Sequence, residues 1–135
     1  MNYYFLCVTN HKKQIMTMKM TLPESAIQQQ CVKWFRVVHS AYAGLLFSIP
    51  NEGRRTRANA SRMKAQGIVA GAADLVLSVA RGGFHALYIE MKSERGRQTE
   101  NQKRFQNDVE KQGYKYVICR GFNEFTSEIT KYLDL

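Results

Sequence analysis

The chain has 135 residues, 44% of them hydrophobic, with seven Phe, seven Tyr and one Trp: enough for one domain with its own core and no need of a disulfide or structural metal. Three scattered cysteines (Cys7, Cys31, Cys119) without a CxxC and three histidines (His11, His39, His85) without an i, i+4 pair argue against zinc, and for a reducing intracellular compartment rather than secretion. Twenty Lys and Arg against eleven acids leave a formal charge of +9, which favours a polyanion, nucleic acid before an anionic membrane, and no apolar run approaches the ~18 residues of a membrane span.

Tyr3–Val8 reads as a short strand, too brief for the core of a signal peptide, and a polar stretch follows through His11-Lys12-Lys13-Gln14. Met16, Met18 and Met20 could each be an internal start. Residues 1–20 are therefore expected as an extension outside a core domain of residues 21–135. Thr21-Leu22-Pro23-Glu24 has the capping-box pattern, and Ile27, Cys31, Trp34, Phe35 and Val38 recur at helical spacing, which predicts a helix to about His39. Glu24 and Gln28 share one side of it. In a first helical turn a Glu either caps the helix and complements its dipole or serves a site.

Gly44 breaks the chain before a short buried-type strand, Leu45–Ile49, and Asn51-Glu52-Gly53 turns it. Residues 53–73 then carry Arg54, Arg55, Arg57, Arg62 and Lys64 and no acid. Such a run is either a solvated face or a seat for a phosphate backbone. Ala58–Gln66 is helix-forming and Gly67 stops it; no GK[ST] follows Gly67 or Gly71, so this is not a P-loop.

Two apolar runs, Leu75–Ala80 and Phe84–Ile89, flank Arg81-Gly82-Gly83 and predict a β-hairpin. With a loop of residues 81–83, Ala80 faces Phe84 and Asp74 falls opposite Glu90. Lys92, two residues on, shares the Glu90 face. Two carboxylates directly opposite on a sheet repel unless something compensates, and a hard divalent cation with oxygen ligands would do so. The alternative is a frayed hairpin end with solvated acids and Lys92 neutralising Glu90.

Ser93–Gln98 is a polar loop carrying Arg95 and Arg97. Thr99-Glu100-Asn101-Gln102 is a second capping box, opening a helix to Gln112 with Gly113 as its stop. Gln102 lies in the first turn, where it can cap the helix or turn back toward Lys92. Tyr114–Cys119 reads as a strand. A last helix follows Asn123 with Phe125, Ile129, Tyr132 and Leu133 inward. The order α, β, α, β, β, α, β, α gives an α/β domain with a mixed sheet and helices packed on it.

Asp74, then Glu90-Met91-Lys92, a Gly-Arg loop and a helix carrying Gln102 together resemble the PD-(D/E)xK nuclease superfamily. More narrowly, Glu24-Ser25-Ala26-Ile27-Gln28, Ile49-Pro50-Asn51-Glu52-Gly53-Arg54, Gly71…Asp74 and Ile89-Glu90-Met91-Lys92 resemble the VRR-NUC (virus-type replication–repair nuclease) family, closest to its small stand-alone phage-like members. The resemblance covers about residues 21–133. It departs at Ala73, where the family commonly has Pro before the Asp; that Pro restrains the backbone and is not a metal ligand.

The resemblance implies a restriction-endonuclease-like core, a central mixed β-sheet flanked by helices. Asp74 and Glu90 would ligate Mg²⁺ or Mn²⁺, joined by the Met91 carbonyl. Lys92 would position or help deprotonate the attacking water. Glu24 would complete the acidic cluster, directly or through water, and Gln102 would orient the site. The implied activity is metal-dependent DNA endonuclease action on branched DNA such as four-way (Holliday) junctions, by a homodimer in a bacterial or phage-infected cell; linear or flapped DNA is the runner-up substrate. Arg54, Arg55, Arg57, Arg62, Lys64, Arg95 and Arg97 are the expected DNA contacts. Two other readings compete: a non-catalytic nucleic-acid-binding module, and a nuclease subunit that works only with a larger partner.

Overall fold

In the computed structural model, which describes residues 4–5, 18–19, 22–50 and 57–135, four strands form one mixed sheet. The elements in chain order are β1 (Tyr4–Phe5), β2 (Met18–Lys19), α1 (Glu24–Val38), β3 (Leu46–Ser48), α2 (Arg57–Ala65), β4 (Leu75–Leu77), β5 (Leu87–Met91), α3 (Glu100–Lys111), β6 (Lys115–Cys119) and α4 (Phe122–Leu133). The sheet order is β3-β4-β5-β6, antiparallel except for the parallel β5–β6 pair. A parallel pair needs a long crossover, and α3 supplies it. This is an α/β domain with a mixed sheet flanked by helices, the architecture that the resemblance implies. β1 and β2 form a separate antiparallel pair, so Tyr4–Phe5 bears out part of the expected first strand. Asn51-Glu52-Gly53, Arg54, Arg55 and the Arg57 side chain lie outside the described residues.

Leu75, Leu77, Leu87, Ile89 and Met91 point to one face of the sheet, where Cys31 and Phe35 of α1 and Phe125, Ile129 and Tyr132 of α4 close the core. Burying each such large apolar side chain contributes about 1.5–3 kcal/mol. Cys31 and Cys119 are enclosed there, and burial pushes both thiols up to about 12, which makes them packing groups and not nucleophiles. The opposite face carries Tyr88, Glu90 and Tyr116 beneath α3, whose Phe105 ring meets Tyr88 edge-on with centroids 5.3 Å apart. No helix among the described residues is long and apolar enough to cross a membrane.

The structure corrects three local expectations. The hairpin tip is a two-residue turn: Arg81 pairs with Phe84, and Gly82 and Gly83 both have the positive φ that such a turn demands. Further down, Leu77 nevertheless pairs with Leu87 and Leu75 with Ile89, the predicted register. Three residues lie between Leu77 and Arg81 and two between Phe84 and Leu87, so one extra residue in 78–80 absorbs the difference. Val79 stays buried there, its carbonyl accepting from the Tyr132 hydroxyl at 2.7 Å, and this tertiary bond favours the offset over a continuous ladder. The second correction is at α1. Pro23 is its N-cap and makes no side-chain cap, and the Glu24 carboxylate turns to another element instead of closing a capping box. The third is a 3₁₀ turn at Ser40–Leu45, which replaces the simple break expected at Gly44 and delays the strand to Leu46.

Candidate active site

The site lies at the open end of the β4–β5 hairpin, on the α3 face. The register that pairs Leu75 with Ile89 carries Asp74 opposite Glu90, and Asp74 Oδ2 accepts from the Met91 N–H at 2.8 Å. The backbone of Asp74 is fixed from the other side, its carbonyl accepting from Ile49 N–H at 2.9 Å. β3 and β5 thus hold the aspartate between them. Glu90 is 2% exposed. Its Oε1 accepts from Gln102 Nε2 at 2.5 Å and pairs with Lys92 Nζ at 3.0 Å. Its Oε2 is buried and has no hydrogen-bond partner among the described residues.

Burial, and then the charge of Asp74, push the Glu90 carboxyl up to about 7 against the pull of Lys92. Both causes disfavour the charged form. An ionised, buried oxygen without a donor is costly in the protein alone. A hard cation removes that cost. Mg²⁺ is typically bound by one or two carboxylates and keeps several waters, so Asp74, Glu90 and a backbone carbonyl are a sufficient oxygen set for it, and Mn²⁺ accepts the same donors. Met91 offers only its backbone, because its side chain is buried in the core on the other face.

Gln102 does two jobs that the sequence leaves as alternatives. Thr99 is the N-cap of α3 with both halves of the capping box formed: Gln102 Oε1 accepts from Thr99 N–H at 2.9 Å, and Thr99 Oγ1 accepts from Gln102 N–H at 3.3 Å. The amide nitrogen of the same side chain donates to Glu90. One group therefore starts the helix and orients the carboxylate.

That alignment depends on Gly71. A Cβ at Gly71 would stand 2.4 Å from Asn101 C and 2.6 Å from Gln102 N, both backbone atoms, and its φ of +83° is one that side-chain-bearing residues rarely adopt. Replacing Gly71 with Ala is expected to push the start of α3 off the loop, destabilise the fold by about 1–3 kcal/mol and loosen Gln102 from Glu90. Thermal melting with the Asp74→Asn variant alongside reads this directly; an unshifted melting temperature would mean that the approach is not tight.

Glu24 reaches the site by a different route from the one expected. Its Oε1 accepts from Ser93 N–H at 2.5 Å, which ties the start of α1 to the chain just past Lys92. Its charge is felt by Glu90 only as the weakest of several influences. Among the described residues no three His, Cys, Asp or Glu side chains form a metal-binding group. Lys92 is held on Glu90 with its side chain 12% exposed.

The basic residues separate into two groups. Arg62 and Lys64 are exposed on α2, whose end leads through residues 66–73 to Asp74. Arg95 and Arg97 are exposed on the loop after Lys92. Sequence reasoning missed Arg120, which follows β6 beside Lys92. Only the parallel β5–β6 pairing reveals it, and a sequence does not state which strands pair in parallel.

The family model described as VRR-NUC domain matches residues 8–123. A solved structure titled "VRR_NUC domain protein" superposes with a TM-score of 0.76 at 27% identity, covering 86% of this chain and 92% of that one. No curated protein matches.

Proposed function

Because the chain belongs to the VRR-NUC family of nucleases, we propose that it is a metal-dependent endonuclease that hydrolyses DNA phosphodiester bonds, preferentially in branched DNA such as four-way junctions. The observation that carries this reading is the Asp74–Glu90 pair, with Glu90 Oε2 buried and unpartnered and Lys92 Nζ 3.0 Å from the other oxygen. Phosphodiester hydrolysis needs a nucleophilic water, neutralisation of charge on the scissile phosphate and help for the leaving oxygen. Asp74, Glu90 and the Met91 carbonyl would hold Mg²⁺ or Mn²⁺. When bound, the ion supplies Lewis acidity and lowers the pKa of water.

The chain's own residues do the rest. Lys92 offsets phosphate charge and holds the attacking water by hydrogen bonding. Gln102 fixes the Glu90 carboxylate through Oε1 and leaves Oε2 turned away from it. Glu24 sets the backbone beside Lys92 through Ser93. The Arg54–Lys64 stretch and Arg95 and Arg97 attract the phosphate backbone. Branched DNA and a homodimer rest on the family likeness, and a two-fold dimer with two sites suits the paired strands of a junction.

The test uses a labelled four-way junction and a linear duplex of matched sequence, each with Mg²⁺, Mn²⁺ or EDTA, for wild type and Lys92→Ala. Metal-dependent cutting of the junction, lost in Lys92→Ala, is the expected result. Cutting of both substrates would remove the junction preference. Binding without cutting by the folded wild type would favour a binding module or a missing partner instead.

A further inference from the structure

We propose that Arg120 is a phosphate-binding residue that grips the DNA backbone beside the scissile phosphate, on the β6 side of the site. This rests on the nuclease reading above. Glu90 pairs with Ile118 and Met91 with Cys119 in the parallel β5–β6 ladder, and Lys92 N–H donates to the Cys119 carbonyl at 3.0 Å. Lys92 and Arg120 therefore leave the sheet side by side. Alternation puts both on the face that carries Glu90 and Ile118.

The loop after Lys92 folds back across this place. A Cβ at Gly96 would lie 3.3 Å from Lys92 Cδ and 3.0 Å from Ser93 Oγ, so the loop rests on the aliphatic part of the lysine. Arg120 Nη2 donates to the Gly96 carbonyl at 3.2 Å, which holds the guanidinium at the rim of the site. Glu124 Oε2 accepts from the Arg120 backbone N–H at 2.7 Å, and among the described residues no carboxylate pairs with the guanidinium itself.

A guanidinium has five N–H donors, and among the described residues one hydrogen bond uses them. The remaining donors belong to an exposed side chain next to the loop that carries Arg95 and Arg97, where Glu24 is already engaged by Ser93 N–H and Glu124 by the Arg120 backbone. A planar, always-charged fork beside a catalytic lysine is suited to the non-bridging oxygens of a phosphate. The strand would then run past Lys92 onto Arg120, with Arg95 and Arg97 on the loop beside it.

The competing role for Arg120 is a latch that merely holds the loop over Lys92. Two variants separate the roles. Arg120→Gln keeps a donor for the Gly96 carbonyl and loses the charge; Arg120→Lys keeps the charge and loses the fork. Affinity for the labelled junction is measured in EDTA between 50 and 200 mM salt, approximately the range over which counterion release dominates. Arg120→Gln is expected to bind several-fold more weakly, with the slope of log K against log salt reduced by about one, while Arg120→Lys keeps the wild-type slope. Thermal melting of both variants should match wild type.

Wild-type slope and affinity in Arg120→Gln would overturn the proposal while leaving the nuclease intact. Wild-type protein that neither binds nor cuts would overturn the nuclease reading and this one with it.

Discussion

Asp74→Asn is expected to cut the junction at least about a thousandfold more slowly than wild type, a loss of ~4 kcal/mol in transition-state stabilisation at ~1.36 kcal/mol per tenfold. The substitution is nearly isosteric. The amide oxygen can still accept the Met91 N–H that Asp74 Oδ2 accepts at 2.8 Å, and the Asp74 carbonyl still accepts from Ile49. The β3–β4–β5 register should therefore survive, and binding to DNA with it. What disappears is one of the two opposed negative charges proposed to hold the cation. Single-turnover cleavage, a melting curve and a binding isotherm on the same preparation separate these effects. A folded Asp74→Asn protein cleaving within tenfold of wild type would place the chemistry elsewhere.

Glu90→Gln has a double expectation: cleavage falls by a comparable factor, and the metal-free protein becomes more stable at pH 8. The carboxyl is pushed from its ordinary 4.5 to about 7 by burial and by Asp74. A carboxyl whose folded value is raised contributes stability that is fully present below about 4.5 and lost as pH rises through about 7. At pH 8 the folded wild type therefore carries a buried charge that costs on the order of 3 kcal/mol relative to the neutral group. Glutamine does not titrate and escapes that cost, less what it forfeits in the Lys92 ion pair.

Melts in EDTA should show Glu90→Gln above wild type by several degrees at pH 8, with the gap closing toward pH 5. A wild type that is the more stable protein at pH 8 would mean that Lys92 and Gln102 already compensate the charge in full. Mg²⁺ should stabilise wild type and leave Glu90→Gln nearly unmoved. A residue that lowers stability in the empty site and is compensated on ligand binding is placed for function rather than for folding.

Much of this site was legible before the fold was known. The glycine-centred turn and the period-two runs put Asp74 opposite Glu90, and that pairing holds although the tip has two residues and not three. It survived because a slip at the tip was compensated within residues 78–80, where Val79 is claimed by Tyr132. The β-rich run was also expected to begin at Phe84. Instead the ladder resumes only at Leu87 and runs on through Glu90 and Met91, which makes Glu90 a residue of a buried strand and not of a frayed end. That difference raises its pKa. The Thr99–Gln102 capping box was readable because both partners lie within one helical turn.

Sequence by itself determined the helices and sheet strands of residues 21–135 and their order, though not the 3₁₀ turn at Ser40–Leu45 or the Met18–Lys19 strand, together with the hairpin pairing and the identity of the charged residues near one another along the chain. Each follows from interactions between residues a few positions apart, or from a two- or 3.6-residue period that burial imposes on one face. Tertiary structure alone decided what the polar side chains do. It turned Gln102 onto Glu90 across a close approach that only Gly71 permits, and it took Glu24 to Ser93. By pairing β5 with β6 in parallel, it also brought Arg120 beside Lys92. These contacts join residues 12 to 69 positions apart, or rest on strands joined by a helical crossover. No local pattern encodes them, because their energy comes from groups that meet only after the sheet has closed.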